Sequence, residues 1–280
     1  MGFITFKTIG ESGNLGSQLQ QYSSLFAIAK ETGRDIIFPE SSLNMGYGFK
    51  FADLCDIDII TKPDDFFNNF IDIKPDDTKL VDDLLIPKMN PQINYNIVNR
   101  FDLYKYWYPR YFKNIMDFKW NPNYKNLALQ KYKSLIPTDK EIVAIHVRRG
   151  DYLLPQHSHF CHLDNSYYSE ALAPFIKEKE KYHFLIFSND IEWCKKYLIQ
   201  GEMVTFVEQG DDYIDLITMS MCDHFIIANS SYSWWAAFKS ESNLHKKVYC
   251  PTNYLRNHSP WKHINGNYYP STWNNINNFA

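Results

Sequence analysis

The run from Glu141 to Val147, EIVAIHV, is apolar at almost every position. Unbroken runs of this length belong to strands buried on both faces, whereas strict alternation marks a strand with one wet face. Similar runs recur at 182–188 (YHFLIFS), 203–207 (MVTFV), 224–229 (HFIIAN) and 247–250 (KVYC). Between them lie stretches with apolar residues at helical spacing: 165–181, 189–198, 211–222 and 231–240. Asn189 and Asp190 supply capping side chains for the second of these. Strand–helix alternation predicts a parallel sheet, doubly wound, with helices on both faces.

The N-terminal half begins in the same way. FITFKTI (3–9) reads as a strand, NLGSQLQQYSSLFAIAKET (14–32) as a long helix closed by Gly33, and RDIIFP (34–39) as a strand. Residues 40–135 hold short apolar runs broken by Pro63, Pro75, Pro87, Pro91 and Pro109, with one further helix in NYKNLALQKYKSLI (123–136). The predicted fold is α/β, with two Rossmann-like doubly wound domains. Residues 1–136 form the first domain and 137–250 the second. Residues 251–280 form an irregular tail, packed down by Trp261, Tyr268, Tyr269 and Trp273.

Composition narrows the function classes. The 280 residues carry 29 basic and 32 acidic side chains, a net charge of −3, which excludes the extended basic face of a general nucleic-acid binder. Any anion site is therefore local. The five cysteines lack metal-ligand spacing and read as reduced, buried thiols. The stretch MGFITFKTIG reads as a strand rather than a signal peptide, so the expected location is cytoplasmic, with peripheral membrane association as an option. Aromatic residues make up 17% of the chain, which fits either a large core or surfaces that stack sugars.

In open α/β sheets, ligands bind beyond the carboxyl ends of the strands. Four groups fall there. Arg148, Arg149, Gly150 and Asp151 follow the 141–147 strand; Ser188, Asn189 and Asp190 close the 182–188 strand; Ser230, Ser231 and Ser233 follow 224–229; and GESGNLGSQ follows the first strand. Paired arginines suit a phosphate or carboxylate, against the plainer reading of a structural Arg–Asp pair. Serines at a helix start make an anion cradle, or simply cap the helix. The glycine turn is neither a dinucleotide fingerprint nor a P-loop. Asp56-Ile57-Asp58 has a metal-binding spacing but sits in a polar, proline-broken region. His157, His159 and His162 with Cys161 lack a second ligand cluster for zinc. No metal and no bound cofactor are expected.

HVRRGDY (146–152), FSNDIEWC (187–194) and DLITMSMCDHFIIANSSYSWWAAF (215–238) resemble the three blocks of the α-1,2-fucosyltransferase family, in order and spacing. GNLGSQLQQY near the start resembles the family's first helix. The resemblance implies a GT-B-like arrangement of two domains facing across a cleft. It implies GDP-β-L-fucose as donor and co-substrate, an oligosaccharide or lipid-linked galactoside as acceptor, inversion of configuration and no metal ion. Carried over by residue, Arg148 holds the β-phosphate, and Arg149 braces the site with Asp151 as its partner. His146 lies near the nucleotide, unless it is a hydrogen-bonded core histidine. Asp215 reads the guanine edge. Ser188, Asn189 and Asp190 lie near ribose or base, while Asn229, Ser230, Ser231 and Ser233 surround the diphosphate. Gly16 and Gln18 line the donor side, and Trp234 and Trp235 pack. Where the family shows Asn and Phe in its first helix, this chain has Ser17 and Gln20, which points to an altered acceptor pocket. Arg148, Asp151 and His146 are the candidate catalytic residues, with Asp151, His157 and His159 as alternative general bases. A transferase using another guanosine-linked sugar, and a non-catalytic sugar- or nucleotide-binding relative, remain open alternatives.

Overall fold

The apolar start of the chain forms strand β1 (Phe3–Thr5) in the computed structural model. The structure describes residues 2–11, 13–73, 89–98, 107, 110–137, 139–208, 210–240, 245–259, 265 and 268–278. Helix α1 (Leu15–Thr32) follows, with the Asn14 side chain accepting from the Leu15 N–H at its start. Gly33 closes it at φ 63°, a left-handed conformation that costs glycine little and other residues more. The predicted RDIIFP strand divides in two: β2 (Asp35–Ile36) and β3 (Phe38–Pro39). The cause is a change of partner at one residue. The Ile37 N–H bonds to Ile4 O, while the Phe38 N–H bonds to Ile60 O, so the chain leaves one sheet for another.

After α2 (Lys50–Leu54) come β4 (Thr61–Lys62), β5 (Ile71–Ile73), β6 (Tyr95–Ile97) and α3 (Phe112–Met116). Strands in the order β2-β1-β6-β5 form one parallel sheet, and β3 pairs with β4 in a second. Pro75, Pro87, Pro109 and Trp261 lie outside the described residues.

The chain divides into two compact units, Met1–Asn121 and Pro122–Ala280. The boundary lies before α4 (Pro122–Leu135), not after it as the sequence reading placed it. Thr218 Oγ1 donates to Ala128 O within the second unit, and Ala128 is fully buried, so α4 belongs there.

The second unit continues through β7 (Glu141–Val147), α5 (Asn165–Ile176), β8 (Tyr182–Ser188), α6 (Ile191–Tyr197) and β9 (Val204–Phe206). It ends with α7 (Asp212–Ser220), β10 (His224–Ile226), α8 (Ser231–Lys239), β11 (Val248–Pro251) and β12 (Asn274–Ile276). Its parallel sheet has the order β12-β11-β10-β7-β8-β9. The winding runs outward from β7 to β9, then restarts at β10 on the other side of β7. In doubly wound sheets this reversal opens a crevice at the carboxyl edge. The tail is not wholly irregular, because Asn274–Ile276 adds the edge strand β12. Tyr268, Tyr269 and Trp273 are buried, and Trp234 Nε1 donates to Tyr268 O.

β7 and β8 match the predicted limits because both lie inside the sheet. Val143, Ile145 and Val147 pack with Phe184, Ile186, Tyr168 and Phe175 in one apolar cluster. No helix among the described residues is long and apolar enough to cross a membrane. Ile145 is fully buried, so Ile145→Ala is expected to cost about 2–5 kcal/mol of stability in denaturant titrations. Ile176→Ala, at a position 40% exposed, should stay within about 0.5 kcal/mol of wild type.

Candidate active site

The strand register brings three of the predicted groups to one edge. Val147 pairs with Ser188, and Ile145 pairs with Ile226. Carried on past the strand ends, the same register sets Arg148 beside Asn189 and level with Asn229. Arg148 therefore sits at the crevice between β7 and β10, where the winding reverses.

Two like charges on consecutive residues need separate compensation, and the structure provides it. Arg148 Nη2 donates to Asp151 Oδ2 at 2.9 Å, while Nε lies 2.8 Å from Oδ1, out of line for a hydrogen bond. Arg149 Nε donates to Asp190 Oδ2 at 3.2 Å, and its guanidinium lies 4.2 Å from the centre of the Trp193 ring. Arg149 is thus partnered by Asp190, not by Asp151 as the sequence reading had it. Successive side chains of an extended segment point opposite ways. Only Arg148 reaches Asp151, in the 3₁₀ turn Gly150–Leu153.

Asn189 joins the two pairs. Its Oδ1 accepts from the Arg149 N–H at 2.9 Å, and its Nδ2 donates to Asp151 Oδ1 at 3.1 Å. Ser188 Oγ accepts from the Asp190 N–H at 2.9 Å, and Asp190 Oδ1 caps α6 through the Trp193 N–H at 3.2 Å. The approach of Asn189 requires glycine at 150, where a Cβ would stand 2.6 Å from Asn189 Nδ2. Arg148 keeps about a third of its side chain exposed, enough to meet a ligand.

At the neighbouring edge, Ser230 caps α8, its Oγ accepting from the Tyr232 N–H at 3.4 Å. Asn229 is fully buried and donates through Nδ2 to Cys161 O and Tyr254 O, both at 2.9 Å. Its Oδ1 has no partner, and its backbone oxygen accepts from Tyr152 OH at 3.1 Å. Ser231 is partly exposed.

Three assignments change. Ser233 is fully buried, with its Oγ 2.8 Å from His146 Nδ1, so it cannot line a diphosphate. His146 is itself 5% exposed. Burial, and then the Arg148 charge, push its pKa down to about 3, so it stays neutral and serves as a hydrogen-bonded core histidine rather than a catalytic group. Gln18 is also fully buried: Oε1 accepts from the Phe51 N–H at 3.3 Å, and Nε2 donates to Gly13 O. Its amide holds the start of α1 against α2. Gly16 beside it is buried and Ser17 partly exposed, both in the first unit. Gln20 is 1% exposed, with neither amide atom partnered.

Asp215 in α7 is 9% exposed; Oδ1 pairs with Lys131 Nζ, and Oδ2 accepts from the Gly210 N–H at 3.1 Å. Each oxygen retains a lone pair for a further donor. His157 and His159 lie against the Phe160 ring, at 6.0 and 4.3 Å between centroids. Trp234 and Trp235 are buried packing residues. Among the described residues no three His, Cys, Asp or Glu side chains converge as metal ligands.

The sequence reading missed Lys131, Trp193 and Tyr152. Trp193 follows Asp190 by three residues in a capped helix, a spacing that signals their meeting. Lys131 lies 84 residues from Asp215, and no local pattern marks it.

The model of glycosyl transferase family 11 matches residues 95–277. An α-1,2-colitosyltransferase of Escherichia coli is 37% identical over 109 residues, 36% of this chain and 37% of that protein. Human galactoside α-(1,2)-fucosyltransferase 1 is 34% identical over 106 residues, 35% of this chain and 29% of that protein. The chain thus spans well under half the length of these curated relatives. Among solved structures, POFUT1 in complex with GDP-fucose superimposes with a TM-score of 0.53 at 11% identity, over 88% of this chain and 98% of that one. The fold is GT-B-like.

The neutral His146 has a measurable consequence. With its folded pKa near 3 and its unfolded value near 6.5, the unfolded chain binds the extra proton between those limits. Stability therefore falls as pH drops below 6.5. Burial lowers the His183 pKa as well, so it adds in the same direction. Urea titrations at pH 7 and pH 5 should show that His146→Asn removes on the order of 1–2 kcal/mol of the acid-induced loss. An unchanged difference between the two pH values would contradict the assignment.

Proposed function

The chain belongs to glycosyl transferase family 11, and from that premise we propose that it transfers L-fucose from GDP-β-L-fucose to the 2-hydroxyl of a galactoside, inverting the anomeric centre without a metal ion. One observation carries the reading: Arg148 stands at the reversal point of the sheet, level with the start of α8, held by Asp151, which Asn189 holds in turn.

In the proposed reaction the acceptor oxygen bonds to the fucose anomeric carbon and passes its proton to a base, for which Asp151, His157 and His159 are the candidates. The bond from that carbon to the β-phosphate oxygen breaks, and GDP leaves with the electron pair. Negative charge grows on the diphosphate. Arg148 and the positive end of the α8 dipole meet it, a service for which other transferases recruit a divalent cation. Ser230 and Ser231 lie at that helix start. Asp151 aims Arg148, and Arg149, tied to Asp190 and Trp193, holds Asn189 through its backbone. Asp215 accepts from guanine N1–H and the exocyclic amine, with Lys131 fixing its orientation. The acceptor is an oligosaccharide or a lipid-linked glycan.

A second reading, transfer of a different guanosine-linked deoxy sugar, draws support from the likeness to an α-1,2-colitosyltransferase. A panel of donors with one galactoside acceptor separates the two.

Arg148→Ala should lower kcat by about 10²–10³, the usual cost of removing one transition-state donor, while wild-type activity survives excess EDTA. Full loss of transfer in EDTA, or an active Arg148→Ala enzyme, would overturn the metal-free reading. Separately, GDP should raise the melting temperature more than IDP, which lacks the exocyclic amine. Asp215→Asn should abolish that preference; an Asp215→Asn protein that still discriminates the two would remove Asp215 from base recognition.

A further inference from the structure

The first unit contains a cavity of about 230 Å³ beside the second half of α1, bounded by β2, β3 and residues 58–60. It is smaller than the roughly 300–1,000 Å³ of drug-sized sites, a scale that suits a single ring. Its apolar lining comes from Tyr22, Phe26 and Phe38. These rings are fixed by others: Tyr22 stacks on Phe51 at 4.6 Å, and Phe26 meets Phe118 edge-on at 5.4 Å.

Arg34 also lines the cavity, and its charge is poorly compensated. The residue is 6% exposed. Nη2 donates to Asn90 O at 2.7 Å and Nη1 to Thr32 O at 3.4 Å, both neutral acceptors, while the guanidinium lies 5.1 Å from the centre of the Tyr95 ring. Nε is buried with no acceptor. Burial lowers the pKa of the group, Tyr95 acts weakly against that, and no carboxylate among the described residues does. A guanidinium stays charged in a protein, and a buried charge without a counter-ion is costly. Lys30, exposed at the rim, adds a second cation. Asp35 and Asp58, also exposed, stand among the lining residues and supply acceptors for hydroxyl groups.

We propose that this cavity binds an acidic monosaccharide unit: the ring rests on the aromatic lining, its hydroxyls donate to Asp35 and Asp58, and its acid group meets Arg34 and Lys30. Each part of the lining then has a use. Aromatic faces take the C–H face of a sugar, and a fork of N–H donors takes a carboxylate or phosphate. A neutral sugar would leave Arg34 uncompensated, and a bare anion would leave the rings and the two carboxylates without a role. The site lies wholly in the first unit, whereas the arginine motif belongs to the second, so the proposal stands apart from the donor assignment.

Calorimetric titration of the full chain with galacturonate, galactose 1-phosphate, methyl galactoside and inorganic phosphate tests it. At least one acidic sugar should bind about tenfold or more tightly than methyl galactoside and inorganic phosphate. The two acidic probes distinguish a carboxylate from a phosphate source. Arg34→Gln should weaken that binding about tenfold and Lys30→Gln by a few-fold, with the GDP-induced melting shift unchanged in Lys30→Gln. Should Arg34→Gln fail to fold, the exposed Lys30→Gln and Asp58→Asn carry the test. Equal binding of the neutral sugar, equal binding of phosphate alone, no binding of either acidic sugar at about 10 mM, or unaltered affinity in the variants would each overturn the proposal.

Discussion

Arg148 and Arg149 are consecutive, and two guanidinium groups that close repel unless each is held by its own counter-charge. The second unit solves this with strand geometry. The residues leave β7 pointing opposite ways, one to Asp151 and one to Asp190. Asn189 spans the two pairs with one amide, donating to Asp151 and accepting from the backbone of Arg149. The result is an edge of two linked ion pairs whose nearer arginine keeps part of its surface open. Gly150 is the backbone condition for this bridge, because a side chain there would collide with Asn189.

That network gains its meaning from where the sheet puts it. The order β12-β11-β10-β7-β8-β9 makes β7 the strand from which the winding departs in both directions. Helices α5 and α8 consequently lead away from neighbouring strand ends, which leaves the crevice there uncovered by either. The start of α8, capped by Ser230, follows the neighbouring strand end. Below it His146 and Ser233 bond to each other among buried residues. A buried polar floor under a charged, partly open rim suits an anion without a large basic surface. This agrees with the net charge of −3.

Much of the second unit was legible in the sequence. β7 and β8 were bounded to the residue, because a strand buried on both faces shows as an unbroken apolar run with polar ends. The meeting of the segments that follow β7, β8 and β10 at one sheet edge followed from the rule that ligands gather at strand ends. What the sequence hid was burial and pairing. Serine, histidine and glutamine look alike in a sequence whether they face a ligand or the core, so nothing local sets Ser233, Gln18 or His146, which reads either way, apart from true site residues. The partner of Arg149 and the role of Lys131 depend on residues 41 and 84 positions away. RDIIFP reads as one strand because nothing local announces that Ile37 and Phe38 bond to different sheets. The place of α4 was hidden for the same reason: it is decided by packing on α7, not by its own pattern.

The central claim is that Arg148 leaves its bond with Asp151, wholly or in part, to hold the departing diphosphate at the start of α8. A crystal structure of the chain with GDP tests this most directly. The account predicts a β-phosphate oxygen within about 3 Å of both the Arg148 guanidinium and a first-turn N–H of α8. GDP bound with its phosphates away from this edge, and Arg148 still closed on Asp151, would contradict it.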